Sequence, residues 1–343
     1  MIDVHAHAGV PQAALTASRA NGFAGHQAAM RARYQNPLTA EYMRSVTGEW
    51  DRLLTDLGAR LRLMDDAGVA VQVLSVNPGQ YYYWAEPAAA RELVGQVNEH
   101  LAGIVAARPD RFLGLGTVAL QHPGLAAMQL RQAITEFGLA GVQISTQAGG
   151  RDLSAPELDP LWDAAEEHDA VVFIHPLGCP QLTERLAPAY LGNIIGQPLE
   201  TTIALSHLIF TGVLDRHPDL RICAAHGGGY LPYYLGRSEH AYLVRPDSST
   251  MRHPPRYYLQ RMWFDSVVHS AGVAKALVDL VGAGRLVVGS DYPFDMGTER
   301  PGALVAAIPG LSEAQRTAIR TGNALALLGR HGRRLAAAPS PSI

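Results

Sequence analysis

Five imidazole and carboxylate side chains stand where a strand-rich chain can bring them together: His5, His7, His175, His226 and Asp291. His5-Ala6-His7 sets two imidazoles two residues apart. On a strand, residues i and i+2 face one side, so both can reach one ion. A lone His-x-His is a weak signal. Its weight comes from the other three, each of which closes a short apolar run: Val-Val-Phe-Ile before His175, Ile-Cys-Ala-Ala before His226, and Val-Val-Gly-Ser before Asp291. Three histidines and a carboxylate suit one Zn²⁺, with Mn²⁺ or Fe²⁺ as alternatives. Such an ion lowers the pKa of bound water towards ~7 and polarises an acceptor oxygen. With His5, His7, His175 and Asp291 as ligands of a mononuclear site, His226 is left as the acid/base beside Asp291. Gly227 to Gly229 then allow backbone or substrate to approach closely. No organic cofactor is expected.

Eight apolar, β-branched runs must position these groups: 2–5, 69–76, 112–120, 141–146, 170–175, 220–226, 262–267 and 285–291. Near-continuous apolar runs suit strands buried on both faces of a parallel sheet. Helical spacing fills the gaps, as in Val97, Leu101, Ile104 and Val105 before Arg108-Pro109. Eightfold strand–helix alternation predicts an α/β fold, a distorted (β/α)₈ TIM barrel over residues 1–330, with a doubly wound sheet as the alternative. In a barrel, the C-terminal strand ends share one rim, where catalytic residues collect. Two segments exceed the repeat, 10–57 after strand one and 176–206 after strand five. Both are expected to form lids over the site. Residues 331–343 are expected to be a disordered tail.

Lys275 is the lone lysine among 28 basic side chains. A Schiff-base enzyme or a P-loop needs a lysine at a defined place, so both are disfavoured. Net charge is −3, with 48% apolar and 17% charged residues. That balance offers no electrostatic reason for a nucleic-acid or membrane partner. Cys179 and Cys223 cannot make a disulfide framework. The start, Met1-Ile-Asp-Val-His5, shows no secretory pattern, and no apolar run reaches the ~18 residues of a membrane span. A soluble, cytoplasmic protein is expected.

His5-Ala6-His7, His175-Pro176, Ala225-His226-Gly-Gly-Gly229 and Gly289-Ser-Asp291-Tyr-Pro293 together resemble the amidohydrolase-related superfamily, in its aminocarboxymuconate-semialdehyde decarboxylase-like branch. Leu63-Met-Asp-Asp-Ala-Gly-Val69, Tyr83-Trp84-Ala85, Arg111-Phe-Leu-Gly-Leu-Gly-Thr117 and Gly322-Asn-Ala-Leu-Ala326 extend the match over nearly all the chain after residue 60. The resemblance implies a metal-dependent non-oxidative decarboxylase of a small unsaturated or aromatic carboxylic acid, working as a homodimer. A hydrolase of an ester, thioester, lactone or amide is the alternative use of the same site. The family pattern also implies that Arg237 reaches a neighbouring subunit's substrate carboxylate, a task suited to a guanidinium fork.

Departures from the family pattern bear on the substrate. The second carboxylate-binding arginine has no clear counterpart near Thr47, with Arg44 or Arg52 as substitutes. Asn193 stands where the family decarboxylase has an aromatic near the metal. Dinuclear relatives bridge two ions through a strand-four lysine, and Gly141-Val-Gln-Ile-Ser-Thr146 offers none. Further substrate contacts are expected from Tyr83 and Trp84 as an aromatic wall and from His269 after strand seven. His207 and Cys179 are read as structural.

Overall fold

The computed structural model describes residues 1–33 and 36–337. The apolar runs form eight parallel strands: β1 (Ile2–Ala8), β2 (Val71–Val76), β3 (Phe112–Gly114), β4 (Gly141–Ile144), β5 (Val171–Ile174), β6 (Arg221–Ala224), β7 (Trp263–Asp265) and β8 (Leu286–Val287). β1, β2 and β3 pair in one ladder and β4 to β8 in another. Parallel bridges Gly116↔Val142 and Asp3↔Val288 join the two ladders at both seams. The sheet is therefore closed, and the doubly wound alternative is excluded.

Most strands are shorter than their apolar runs. The third is the extreme case, because the Asn98 amide takes over from the ladder: its Nδ2 donates to the Thr117 carbonyl at 3.0 Å, and its Oδ1 accepts the Thr117 N–H at 2.8 Å. Proline at the first helical turn starts the helices Pro37–Thr55, Pro87–Ala107 and Pro123–Thr135, where its missing N–H costs nothing.

Two cores result. Inside the barrel, Val4, Val73, Leu115, Phe173, Cys223 and Val287 pack together. Outside it, a larger layer including Leu74, Leu101, Leu130 and Leu205 packs under the helices. The register between β1 and β2 slips between Asp3↔Gln72 and Ala6↔Leu74, one extra residue on β1. A bulge of this kind re-aims side chains. It puts Val4 in the inner core and still turns His5 inward, against Phe173 at 4.9 Å between ring centroids.

Segment 10–57 folds as the helices Pro11–Ser18, Phe23–Arg33 and Pro37–Thr55. Segment 176–206 is irregular only to Gly196, and a barrel helix, Gln197–Phe210, takes the rest. The expected disordered tail needs correction. Gly329–Ala337 is helical, with His331 buried and Leu335 packed on the inner core cluster of Ala324, Leu327 and Leu328. Residues 338–343 lie outside the described residues. No described helix is long and apolar enough to cross a membrane.

Candidate metal centre and active-site pocket

His5 and His7 project from β1, while His175, His226 and Asp291 follow the ends of β5, β6 and β8 on the same rim. Backbone strain marks two of them: His226 has φ +54° and Asp291 φ +58°. Such left-handed conformations of non-glycine residues cluster at functional sites.

The five groups converge. His5 Nε2 lies 3.1 Å from His7 Nε2 and 3.2 Å from Asp291 Oδ1, and His7 Nε2 lies 3.1 Å from the same oxygen. Asp291 Oδ2 is 3.4 Å from His226 Nε2. His5, His175, His226 and Asp291 each place a donor atom within 4.8 Å of the others. The His175 ring centroid stands 5.0, 4.9 and 5.1 Å from those of His5, His7 and His226.

Partners on the far side of each ring fix its tautomer. His5 Nδ1 donates to Asp265 Oδ2 at 2.5 Å, and His7 Nδ1 faces the Val76 carbonyl at 3.3 Å. Both Nε2 atoms are thereby turned to the shared centre, the arrangement typical of metal-binding histidines. Asp265 Oδ1 accepts the N–H groups of Gly227, at 2.9 Å, and Val267, at 3.1 Å, so one buried carboxylate ties β7 to both His5 and the His226 turn. Asp265 escaped the sequence reading. Its signal was the one used elsewhere, a polar residue closing a barrel strand.

A further buried layer holds the ligand backbone. Asp3 accepts from the N–H groups of His5 at 3.1 Å and Ser290 at 3.0 Å, and from Gln72 Nε2 at 2.9 Å. Arg60, fully buried, donates to Gln72 Oε1 at 2.8 Å and to the His7 carbonyl at 2.6 Å.

Electrostatics follow this geometry. Burial opposes charge on His5, but Asp291 and Asp265 outweigh it and lift its pKa to about 10. Burial lowers the pKa of His7, and it pushes His175 well below the ordinary histidine range, helped by the neighbouring His7 and His5. Burial works against ionised Asp291, yet His5 and the bonds from His226, His5 and His7 hold its pKa well below the usual carboxylate value. The centre thus gathers one carboxylate and several imidazoles, with His5 Nε2 and His7 Nε2 both facing Asp291 Oδ1.

Above it opens a pocket of about 290 Å³, reached by His175, His226 and Asp291 and walled by Trp50, Asn193 and Phe294. The first insertion supplies Trp50 and the second Asn193. Other expected contacts stand apart. Tyr83 and Trp84 line a neighbouring cavity of about 190 Å³, where Tyr83 Oη accepts the Ser145 N–H at 3.1 Å. His269 and Arg237 are exposed and line neither cavity. Arg44 is exposed, and Arg52 is held on its own helix surface by Glu49 at 2.6 Å and Asp56 at 3.3 Å. His207 contacts Ser154 Oγ at 2.9 Å, in keeping with a structural role, and Cys179 is buried in its loop.

Residues 2–330 match the amidohydrolase family. A 2-amino-3-carboxymuconate-6-semialdehyde decarboxylase of Dictyostelium discoideum is 38% identical over 276 residues, 80% of this chain and 77% of the relative. A gamma-resorcylate decarboxylase of Rhodococcus jostii is 30% identical over 304 residues, 81% and 90% of the two chains. A crystal structure of a dihydroxybenzoic acid decarboxylase from Polaromonas, with bound manganese and the inhibitor 2-nitroresorcinol, shares the fold. It superposes with a TM-score of 0.81 at 22% identity over 100% of this chain and 99% of that one. The chain belongs to the amidohydrolase family, in its aminocarboxymuconate-semialdehyde decarboxylase-like branch.

Proposed function

We propose that the chain is a metal-dependent non-oxidative decarboxylase of a small unsaturated or aromatic carboxylic acid. His175 carries this reading. Both of its ring nitrogens are buried and, among the described residues, have no hydrogen-bond partner. A buried polar group left so costs about 1–3 kcal/mol, and a coordinated cation removes that cost. The donor spacing agrees. Two atoms each ~2.1 Å from one ion, at roughly 90–110°, lie about 3.0–3.4 Å apart, and His5, His7 and Asp291 present donors 3.1–3.2 Å apart.

His5, His7, His175 and Asp291 would hold one divalent ion. Zinc suits the donor set, and manganese is the ion of the Polaromonas relative. Gln143 on β4 is spent on Ser75 and the Val76 carbonyl, so strand four brings no bridging group for a second ion. Bound there, the ion supplies positive charge that holds and polarises an acidic oxygen of the substrate.

The rest falls to the chain's own residues. The carbon bearing the carboxylate takes a proton, the C–C bond breaks, its electron pair returns to the unsaturated system and CO₂ leaves. His226 reaches the pocket with its Nε2 beside Asp291, the place from which a proton can be held for that carbon. Trp50 and Phe294, edge to face at 5.3 Å, wall the pocket against water, and Asn193 offers a polar contact to the ring substituents. A soluble cytoplasmic homodimer is part of the proposal, with the exposed Arg237 directed at the site of a second copy. Hydrolysis of an ester, thioester, lactone or amide is not favoured, since the curated relatives above are named decarboxylases.

The test is a panel of aromatic and unsaturated acids given to metal-loaded protein. CO₂ release that His226→Asn reduces at least ~100-fold is expected for an acid/base group. Acid release from esters without any CO₂ would overturn the reading.

A further inference from the structure

The end of the barrel opposite the metal centre holds a second convergence of charge, independent of the proposed function. A cavity of about 170 Å³ there is lined by Arg221, Arg261, Arg285 and Trp263, with Asp219 at its rim. Strand register gathers these side chains. Cys223 pairs with Trp263, and Phe264 with Leu286. Counting back along those pairs sets Arg221 level with Arg261, and Arg285 level with Trp263. All four stand at the N-terminal ends of β6, β7 and β8, whose other ends lead to His226, Asp265 and Asp291.

Two donors in this cavity are unanswered. Arg221 pairs with Asp169, and Arg261 donates to the Pro218 carbonyl at 3.1 Å. Arg285 lies half-buried over the Trp263 ring at 4.4 Å, and its guanidinium has no hydrogen bond or ion pair among the described residues. Tyr34, Gln35 and residues 338–343, outside the described range, include no acidic side chain. Burial, then Arg261 and Arg221, lower the pKa of Arg285, as suits a cation crowded by like charge. Trp263 is 8% exposed, and its buried indole N–H has no partner among the described residues. A buried donor left so is costly. Stacking on Trp263 explains where Arg285 lies, but it answers neither the indole N–H nor the crowding of three guanidiniums. Three positive charges against Asp219 and Asp169 leave a net charge of +1, together with several N–H donors, for a ligand.

We propose that this cavity binds a phosphate group, free or carried on a small ester, and that its occupancy ties the bases of β6, β7 and β8 together. Guanidinium forks match the oxygens of phosphate, and charge-assisted bonds of this kind are the strong ones. The cavity is smaller than the ~300 Å³ at which ordinary small-molecule sites begin, so it suits one oxyanion group. A ligand that binds only the folded chain stabilises it by mass action. N-terminal strand ends of a barrel serve stability, whereas chemistry sits at the other rim. Phosphate here should therefore not compete with an acid at the metal centre.

The test titrates metal-loaded, full-length protein calorimetrically with sodium phosphate and with phenyl phosphate, each against sodium chloride of equal ionic strength. We expect saturable binding, weakened about 10–100-fold in Arg285→Gln and in Arg261→Gln, the loss of one charge-assisted contact. Tighter binding of the ion names free phosphate as the ligand, and tighter binding of phenyl phosphate names an ester; either order supports the site. Arg261 is exposed, so its variant keeps the test open if Arg285→Gln fails to fold. Phosphate also stabilises proteins by exclusion from their surface, so unfolding midpoints are compared between proteins. A rise with phosphate in the wild type that shrinks in Arg261→Gln is expected. Absence of binding by either probe at millimolar concentration overturns the inference. So does binding that both arginine variants leave unchanged, because the phosphate would then sit on the metal centre.

Discussion

Replacing Asp265 by asparagine should weaken metal binding without emptying the fold. Asp265 is fully buried, with one oxygen 2.5 Å from His5 Nδ1 and the other shared by the N–H groups of Gly227 and Val267. Asparagine keeps a single acceptor oxygen. Turned to the two backbone groups, it presents its NH₂ to His5 Nδ1, and the ring must then move its proton to Nε2, consuming the lone pair aimed at the centre. Turned to His5, it faces two N–H donors with a third donor.

Loss of a charge-assisted hydrogen bond to a liganding histidine costs about 1.5–3 kcal/mol, and loss of such a partner typically weakens metal affinity 10–100-fold. The two estimates agree, since a factor of 10–100 is about 1.4–2.7 kcal/mol. Chelator competition with zinc or manganese, read beside circular dichroism of the variant, measures the effect. Retention of full metal affinity in a folded Asp265→Asn protein would refute the argument that this carboxylate sets the His5 tautomer.

Further outcomes follow from the layer behind the site and from the C-terminus. Arg60→Met should cost about 3–5 kcal/mol in denaturant unfolding, because it strips a buried network of its donor and leaves the His7 carbonyl and Gln72 unanswered. A loss below ~1 kcal/mol would mean that the network is dispensable. His331 is held mainly neutral by burial, then by Arg330 and Arg334, with its pKa lowered to about 4. A histidine depressed in the folded state is protonated first in the unfolded chain. Its contribution is therefore complete above the unfolded pKa of ~6.5 and is lost as pH falls from there towards 4, by about 1 kcal/mol at pH 5.5. His331→Leu should flatten that part of the stability–pH curve, and an unchanged slope would contradict the assignment. Gly141→Ala should cost about 3 kcal/mol or more, since a Cβ would meet the Val171 carbonyl oxygen at 2.0 Å. Normal expression and unfolding of that variant would show that β4 and β5 can part more easily than their spacing implies.

The ligand rim was legible because three separate apolar runs each closed on a histidine or aspartate. A closed barrel turns that one-dimensional pattern into proximity. Closure itself was not legible, since it rests on isolated bridges at Asp3 and Ala6 on one seam and at Gly116 on the other, which no periodicity announces.

Strand ends were the weak point. Drawing the seventh strand to Val267 made His269 look like its terminal group, whereas β7 stops at Asp265, the residue that is buried and bonded to His5. Tyr83 and Trp84 were expected at the pocket as aromatics after a strand, but Tyr83 is engaged by the Ser145 backbone in the next cavity. The hairpin Gln147-Ala148/Arg151-Asp152 was readable and went unread: Gly149 and Gly150, at φ +60° and +74°, form the two-residue turn such pairs favour. Only residues 331–337 of the expected tail are described, and they are helical; the anchor of their helix, Leu335, shows only once the base of the barrel is built.

Elemental analysis of purified protein, wild type beside His175→Ala, reaches the central claim most directly. The account predicts about one divalent ion per chain in the wild type and a near-complete loss when the histidine with two unanswered nitrogens is removed. Equal metal content in the two proteins, or none in a folded and active wild type, would contradict it.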